Sequence, residues 1–368
     1  MIEMNWFLPT GGDSRDVLPD ANSVNRAPSH DYLAQVARAC EHMGFEALLT
    51  PCGTGCEDAW LATSSIIPLT KRIKFLVAFR PALITPTLAA QMASTMQRMS
   101  GGRCLVNIVT GAEQAELARF GVMEDKETRY ERTGEFVKIM RGAWSGEPFS
   151  FKGKFFEVVD ATTREVPVPV PPIYFGGASE AAEKVAAENV DLYLSWGETP
   201  DAIKERHERV AARAAEHGRT LRFGIRFQSI ARPTSEEAWA VADRMLASMS
   251  PESIAAARED FLNTQSVGQR RQFDLHGGDM TKLEIYPNVW AGMGLVRGGV
   301  GTALVGSYEE IADRIIEYHG LGIDAFIMSG YPHLEEAYWF GEGVMPILRR
   351  RGYLPALEGG DTKVFSFR

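Results

Sequence analysis

Cysteine and histidine are scarce in this sequence: four cysteines (Cys40, Cys52, Cys56, Cys104) and seven histidines in 368 residues. So few thiols in a chain this long fit a reducing cytosol better than a disulfide scaffold. Long apolar runs are missing too; nothing approaches the roughly 18 uninterrupted apolar residues of a membrane-spanning helix. The opening stretch, MIEMNWFLPTGGD, has no basic region followed by an apolar run, so no signal peptide is expected and the expected location is the cytoplasm. Positive charge is in deficit. A net charge of −9 argues against a nucleic-acid or anionic-membrane surface and leaves any anion site to a few arginines or to helix amides.

What is present is a rhythm. Short apolar runs at 4–9, 46–50, 73–80, 104–111, 172–177, 191–196, 221–232 and 324–332 read as strands. Amphipathic segments separate most of them. In SHDYLAQVARACEHMG (29–44), Tyr32, Leu33, Val36, Ala37, Cys40 and Met43 share one helical face, and Gly44 is a stop. FSFKGKFFEV (149–158) reads as a hairpin around a turn glycine. Repeated βα units imply a parallel sheet, and eight imply a closed (β/α)8 TIM barrel, one domain over 1–368. An open doubly wound sheet would want G-x-G-x-x-G after the first strand, and FLPTGGDSRD does not supply it. Residues 250–306 break the rhythm with a long segment rich in Gly, Asn, Gln and Arg, expected to be a lid-like insertion of irregular loop before the last strand. Ile285, Tyr286, Val289 and Trp290 argue that much of it packs onto something.

In such a barrel the site lies at the C-terminal ends of the strands. Those ends offer Thr10, Pro51 to Cys56, Arg80, Asn107 to Gly111, Gly176 to Ser179, Trp196, Arg226 with Gln228, and Tyr331. Acids are few, so paired carboxylates do not define the chemistry. The histidines fall mostly in helical segments, His276 and His333 excepted, so no metal site is expected. In GIRFQSIAR, alternation sends Ile225 and Phe227 towards the covering helices and Arg226 and Gln228 into the barrel mouth. A charge there needs a carboxylate partner or an anionic ligand. Arg297, among glycines in LVRGGVGTALVG, is a second candidate. Gly176, Gly177 and Ser179 open the helical segment SEAAEKVAAEN, an arrangement that suits a phosphate or an ordinary βα turn. In VGSYEEIADRI, Ser307 and Glu310 have the spacing of a capping box. TPCGTGCEDAW (50–60) raises four readings: half a metal site, a disulfide, a redox pair, or one working thiol. The strand ends lack partners for a metal, and a bridge across three residues with two glycines is awkward.

The stretches CEDAW (56–60), RIKFLVAFRP (72–81), NIVTG (107–111), YFGGAS (174–179), DLYLSWGE (191–198), RFGIR (222–226), SVGQ (266–269), PNVWAGMGLVRGGVGTALVG (287–306) and SGYPHLEEAY (329–338) together resemble the reduced-flavin-dependent alkanesulfonate monooxygenases of the bacterial luciferase-like superfamily. The likeness runs from NWFLPT to about residue 350. It implies a two-component enzyme in which FMNH2, delivered by a separate NAD(P)H-dependent FMN reductase, and O2 cleave the C–S bond of an organosulfonate to sulfite and an aldehyde. It also implies a homo-oligomer, dimer or tetramer. Carried over by position, it makes Cys56, Arg226, Arg297 and Tyr331 the catalytic set. Trp196, Gln228 and His333 go to the substrate side, and Asn107, Thr110, Tyr130, Gly177, Ala178 and Ser179 to the flavin side. Two departures stand out: Gln228 replaces a family histidine, and Gly11 stands where many members have another. Glutamine can hydrogen-bond but cannot carry the charge, which favours a larger or more polar substrate such as a sugar sulfonate. The alternatives are a monooxygenase acting on a non-sulfonate such as a sulfone, and a non-catalytic flavin-binding barrel.

Overall fold

The computed structural model describes residues 1–19, 23–111, 113–264 and 266–357. Eight strands follow the expected rhythm: β1 (Glu3–Phe7), β2 (Ala47–Thr50), β3 (Lys74–Phe79), β4 (Cys104–Ile108), β5 (Ile173–Gly176), β6 (Leu192–Trp196), β7 (Arg222–Arg232) and β8 (Ile323–Ser329). All neighbours pair in parallel, β1 with β8 and β6 with β7 included, so the sheet closes into a (β/α)8 barrel.

Strand alternation decides which residues fill the barrel and which hold the helices. Ala47, Leu49, Leu76, Ala78, Leu105, Tyr174, Leu192, Ala325 and Ile327 form an apolar cluster, joined at its edge by Phe7, Cys52, Val109 and Leu194. Their neighbours on the same strands, among them Met4, Trp6, Leu48, Phe75, Val77, Val106, Phe175 and Phe227, belong to a larger core shared with the helices. The layers of a filled barrel leave room for chemistry only at the mouth.

The helices start and stop where their residues dictate. α1 (His30–Met43) begins at Ser29, whose hydroxyl accepts from the Tyr32 amide, and ends at Gly44, which supplies the left-handed conformation of the C-cap. α2 (Ala59–Ile66) is capped by Asp58, and Trp60 is buried beneath it. α3 (Pro86–Ser100) stops at Gly101. α4 (Lys126–Ala143), α5 (Glu180–Asn189) and α6 (Pro200–Glu216) follow. The expected hairpin forms between Phe149–Lys152 and Glu157–Ala161.

The segment expected to be irregular is largely regular. After α7 (Ser235–Ala247) come α8 (Pro251–Asn263) and α9 (Val267–Asp274), then short strands at Glu284–Tyr286 and Val289–Trp290 and a strand at Ala303–Ser307. β7 is long enough to hold both structures. Arg222–Arg226 pair with β6, while Gln228–Arg232, beyond the mouth, pair with Ala303–Ser307. Val289 and Trp290 are buried, and Ile285 and Tyr286 pack against the core. Ser307 and Glu310 complete the capping box of α10 (Tyr308–Gly320). After β8, α11 (His333–Trp339) leads to the last described helical turns. No described helix is long and apolar enough to cross a membrane.

Candidate active site

A cavity of about 280 Å3 opens at the C-terminal end of the barrel. Phe7, Asn107, Gly176, Leu194, Trp196, Arg226 and Ile327 reach it from six of the eight strands. Arg226 stands between Trp196 of β6 and Ile327 of β8 in register. Ser266, Val267 and Gly268, at the start of α9, close it from the insertion.

At the β5–α5 turn the cavity is lined by Gly176, Gly177, Ala178 and Ser179. A side chain at Gly177 would come within 2.5 Å of the Ala182 Cβ and 3.0 Å of the Tyr130 hydroxyl, so this backbone stays bare and approachable. Ser179 caps α5 by accepting from the Ala182 amide at 3.3 Å, and the Tyr193 hydroxyl donates to the Gly177 carbonyl at 2.5 Å. Asn107, Thr110, Tyr130, Gly177, Ala178 and Ser179 all line the cavity. The free amides and dipole of the helix start, with a cradle that a Cβ would fill, suit a flavin phosphate.

Trp196 and Arg226 also line it. The Arg226 guanidinium lies 4.4 Å above the Phe7 ring. Its Nε and Nη2 are sealed from solvent without a hydrogen-bond partner. Among the described residues no carboxylate pairs with it, so a structural ion pair does not account for its charge. Loss of water, reinforced by the charge of Arg297, pulls its pKa down to about 9, so it stays cationic at neutral pH.

Arg297, Tyr331, His333 and Gln228, also expected at the site, lie outside the residues that line this cavity. Arg297 sits over the Tyr331 ring at 5.7 Å and donates to the Gly298 and Val300 carbonyls at 3.3 Å. Gln228 is fully buried; its Oε1 accepts from the Ser329 hydroxyl at 2.7 Å, and its Nε2 has no partner. The resemblance gave no place to Asp13. Both its oxygens face His333, one on the backbone amide at 2.7 Å and one on Nδ1 at 2.8 Å. The spacing of 320 residues hides that pair from any local motif.

The thiols divide. Cys52 lines the cavity, whereas Cys56 lies outside the lining, half-buried beside Gly11. Burial raises both: Cys52 to about 11 even with Arg80 beside it, and Cys56 against a lowering hydrogen bond with Thr10. At neutral pH both are thiols, not thiolate nucleophiles. A side chain at Gly11 would meet the Gly55 carbonyl at 2.8 Å. The departure at position 11 thus makes room for this chain's glycine-rich loop between the two cysteines.

The insertion is tied down by polar side chains. Glu198, just past β6, accepts from Arg206 of α6 at 2.5 Å and from Arg271 of α9 at 3.1 and 2.5 Å. Burial works to raise the Glu198 pKa, but the hydrogen bonds from Arg271 and the charge of Arg206 outweigh it and hold it below the usual carboxylate value. Gln272 bridges the Gly197 carbonyl and the Gly301 amide, and Gln269 accepts from the Gly299 amide, fixing the loop that carries Arg297. Sequence reading missed Phe7, Glu198 and Arg206. The inward register of β1 and the position of Glu198 two residues past β6 were the available signals.

The model of the luciferase-like monooxygenase family matches residues 2–325, and the chain belongs to that family. Among solved structures, a riboflavin lyase with a modified FMN and riboflavin aligns with a TM-score of 0.80 at 20% identity, covering 96% of this chain and 93% of that one. The EDTA monooxygenase of Chelativorans sp. BNC1 aligns at 0.77 and 18%, covering 96% and 95%. A long-chain alkane monooxygenase aligns at 0.75 and 19%, covering 96% and 92%. At these identities the likeness is one of fold.

Proposed function

We propose that this protein is the oxygenase of a two-component system that uses reduced FMN and O2 to release sulfite from an organosulfonate, leaving an aldehyde. Reduced FMN, supplied by an NAD(P)H-dependent reductase, provides the two electrons that let one oxygen atom enter the substrate while the other leaves as water. The observation that carries the reading is Arg226: a guanidinium at a cavity wall, stripped of water on two nitrogens and without a carboxylate. Such a group is stabilised by an oxyanion, and a sulfonate presents three oxygens to it. Arg297, from the insertion, adds a second positive charge from above.

The remaining residues have defined tasks in this reading. The Gly177–Ser179 turn and the start of α5 hold the flavin phosphate, with Asn107, Thr110 and Tyr130 along the same wall. α9 and the Arg297 loop act as a lid that keeps water from the reacting atoms. Trp196 gives the reacting chain an apolar wall, packed from behind by Gly268, where a Cβ would be 3.2 Å away. Gln228, where the family has a histidine, cannot carry that residue's charge, which favours a more polar substrate such as a sugar sulfonate.

The test is a panel of organosulfonates assayed for sulfite with reduced FMN from an added reductase. Sulfite from polar sulfonates in preference to simple alkanesulfonates supports the reading. Preference for simple alkanesulfonates removes the role given to Gln228, and no sulfite from any member removes the function. The same two arginines would also receive a carboxylate, so oxygen-dependent turnover of polycarboxylates without sulfite release would identify that class instead.

A further inference from the structure

Three consecutive residues at the end of β6 each meet one residue of α9. Gly268 lies against Trp196, Gln272 donates to the Gly197 carbonyl at 2.9 Å, and Arg271 pairs with Glu198 at 2.5 Å. Neither partner is free to withdraw. The Gly197 carbonyl also accepts from the Thr302 hydroxyl at 2.9 Å, and a side chain at Gly197 would run into the Phe227 ring. α9 is held in turn where Gln269 accepts from the Gly299 amide and Gln272 from the Gly301 amide. Of the three pairs, Trp196 and Gly268 are the one whose members both line the cavity. The backbone does not explain a glycine at 268. Its φ lies outside the left-handed region, and it sits in the first turn of α9, where alanine would serve the helix at least as well. What the glycine leaves out is a side chain: a Cβ at 268 would lie 3.2 Å from Cζ3 and 3.4 Å from Cε3 of the Trp196 indole. With α9 and the β6 backbone both pinned, the ring is the part that must yield, and the space beside it is the cavity.

We propose that Gly268 sets the substrate size the enzyme accepts: lacking a side chain, it lets the Trp196 indole stand back and leaves room for the body of the organosulfonate beside Arg226. This rests on the function proposed above. Trp196 and Arg226 are register neighbours on β6 and β7, and both line the cavity. An anionic head held by Arg226 therefore carries the rest of the substrate past the indole. A bare position 268 favours a bulky body, in line with a sugar sulfonate, and a filled one favours a short chain. One methylene that fits or fails to fit in such a pocket changes kcat/KM by about tenfold or more. Gly268 acts through Trp196 and is a positioning residue; the indole is the surface that the substrate meets.

The experiment measures kcat/KM for sulfite release, with supplied reduced FMN, over hydroxyalkanesulfonates of increasing chain length. The readout is the ratio of the longest to the shortest member. Wild type is compared with Gly268→Ala, Gly268→Val, Trp196→Phe and the double variant Gly268→Val with Trp196→Phe. Gly268→Val should lower the ratio by about tenfold or more, and Gly268→Ala should lower it by less. Trp196→Phe removes the ring atoms nearest Gly268 and should raise the ratio. With phenylalanine at 196, Gly268→Val should lower the ratio by less than about threefold, because the two positions are coupled through one contact. If valine lowers the melting temperature, alanine at 268 with phenylalanine at 196 completes the same cycle. A ratio unchanged in the Gly268 variants overturns the inference. So does a fall of the same size with phenylalanine at 196, since the effect then does not pass through the indole. In either case sulfite release by the wild type leaves the proposed function standing. Wild-type protein that releases no sulfite from any member removes that function, and the role of Gly268 with it.

Discussion

Two arginines line the same cavity and live differently. Arg206 is almost wholly buried and meets Glu198 at 2.5 Å; Arg226 has two nitrogens sealed off and no carboxylate partner among the described residues. A buried charge without a partner is costly, and a fold keeps one where a ligand supplies the partner. The β6 end with its Glu198 cluster is therefore scaffold: it fixes α6 and α9 to the barrel. At Arg226 the charge is left without a countercharge, as the proposed receptor role requires. The same residue type serves both because one neighbour differs.

Breaking the scaffold side should have the largest effect. Glu198→Gln leaves Arg206 buried without its countercharge and frees Arg271, so stability measured by urea unfolding should fall by about 3–5 kcal/mol. Arg226→Met should do the reverse, leaving stability within about 1 kcal/mol of wild type while sulfite release falls about 100-fold or more, as on removal of a preorganised oxyanion donor. If both variants lose stability equally, the distinction between the two regions fails.

A third test sharpens the comparison by pH. His207 of α6 accepts or donates at 3.0 Å with the Ser195 hydroxyl and stacks on Phe223 at 4.3 Å. Burial, helped by the charge of Arg206, pulls its pKa down to about 3 from 6.5. The unfolded chain then binds the extra proton more readily, so this contribution is present above pH 6.5 and is lost as pH falls towards 3. The slope should be about 1.4 kcal/mol per pH unit in that window. It should disappear from His207→Phe in urea unfolding followed across pH. The smallest effect belongs outside the cavity lining: Asp58→Ala removes the α2 cap, whose carboxylate accepts from the Leu61 amide at 2.9 Å, and should cost about 1 kcal/mol in the same measurement.

The barrel was legible because its period is local. Alternation along β7 was enough to send Arg226 inward and Phe227 outward, but not to place Gln228, which is buried beside Ala303 and Ser329 outside the cavity lining. The insertion was not legible as helices because it is held by single polar contacts to distant backbone, Gln272 to Gly197 and Gly301 for example, rather than by a continuous apolar stripe. The choice between clamp and ion pair at Arg226 could not be read either, since it turns on which side chains fold back near it. Asp13 and His333 meet only because the first and last strands are neighbours in the closed sheet.

The central claim, that Arg226 is unpaired because it awaits an anion, has one direct measurement. Binding of a polar organosulfonate to wild type and to Arg226→Met is followed by calorimetry under anaerobic conditions with reduced FMN present. We expect the variant to bind at least about tenfold more weakly, the equivalent of about 1.4 kcal/mol, with its melting temperature unchanged. Equal affinity for the two proteins would contradict the account.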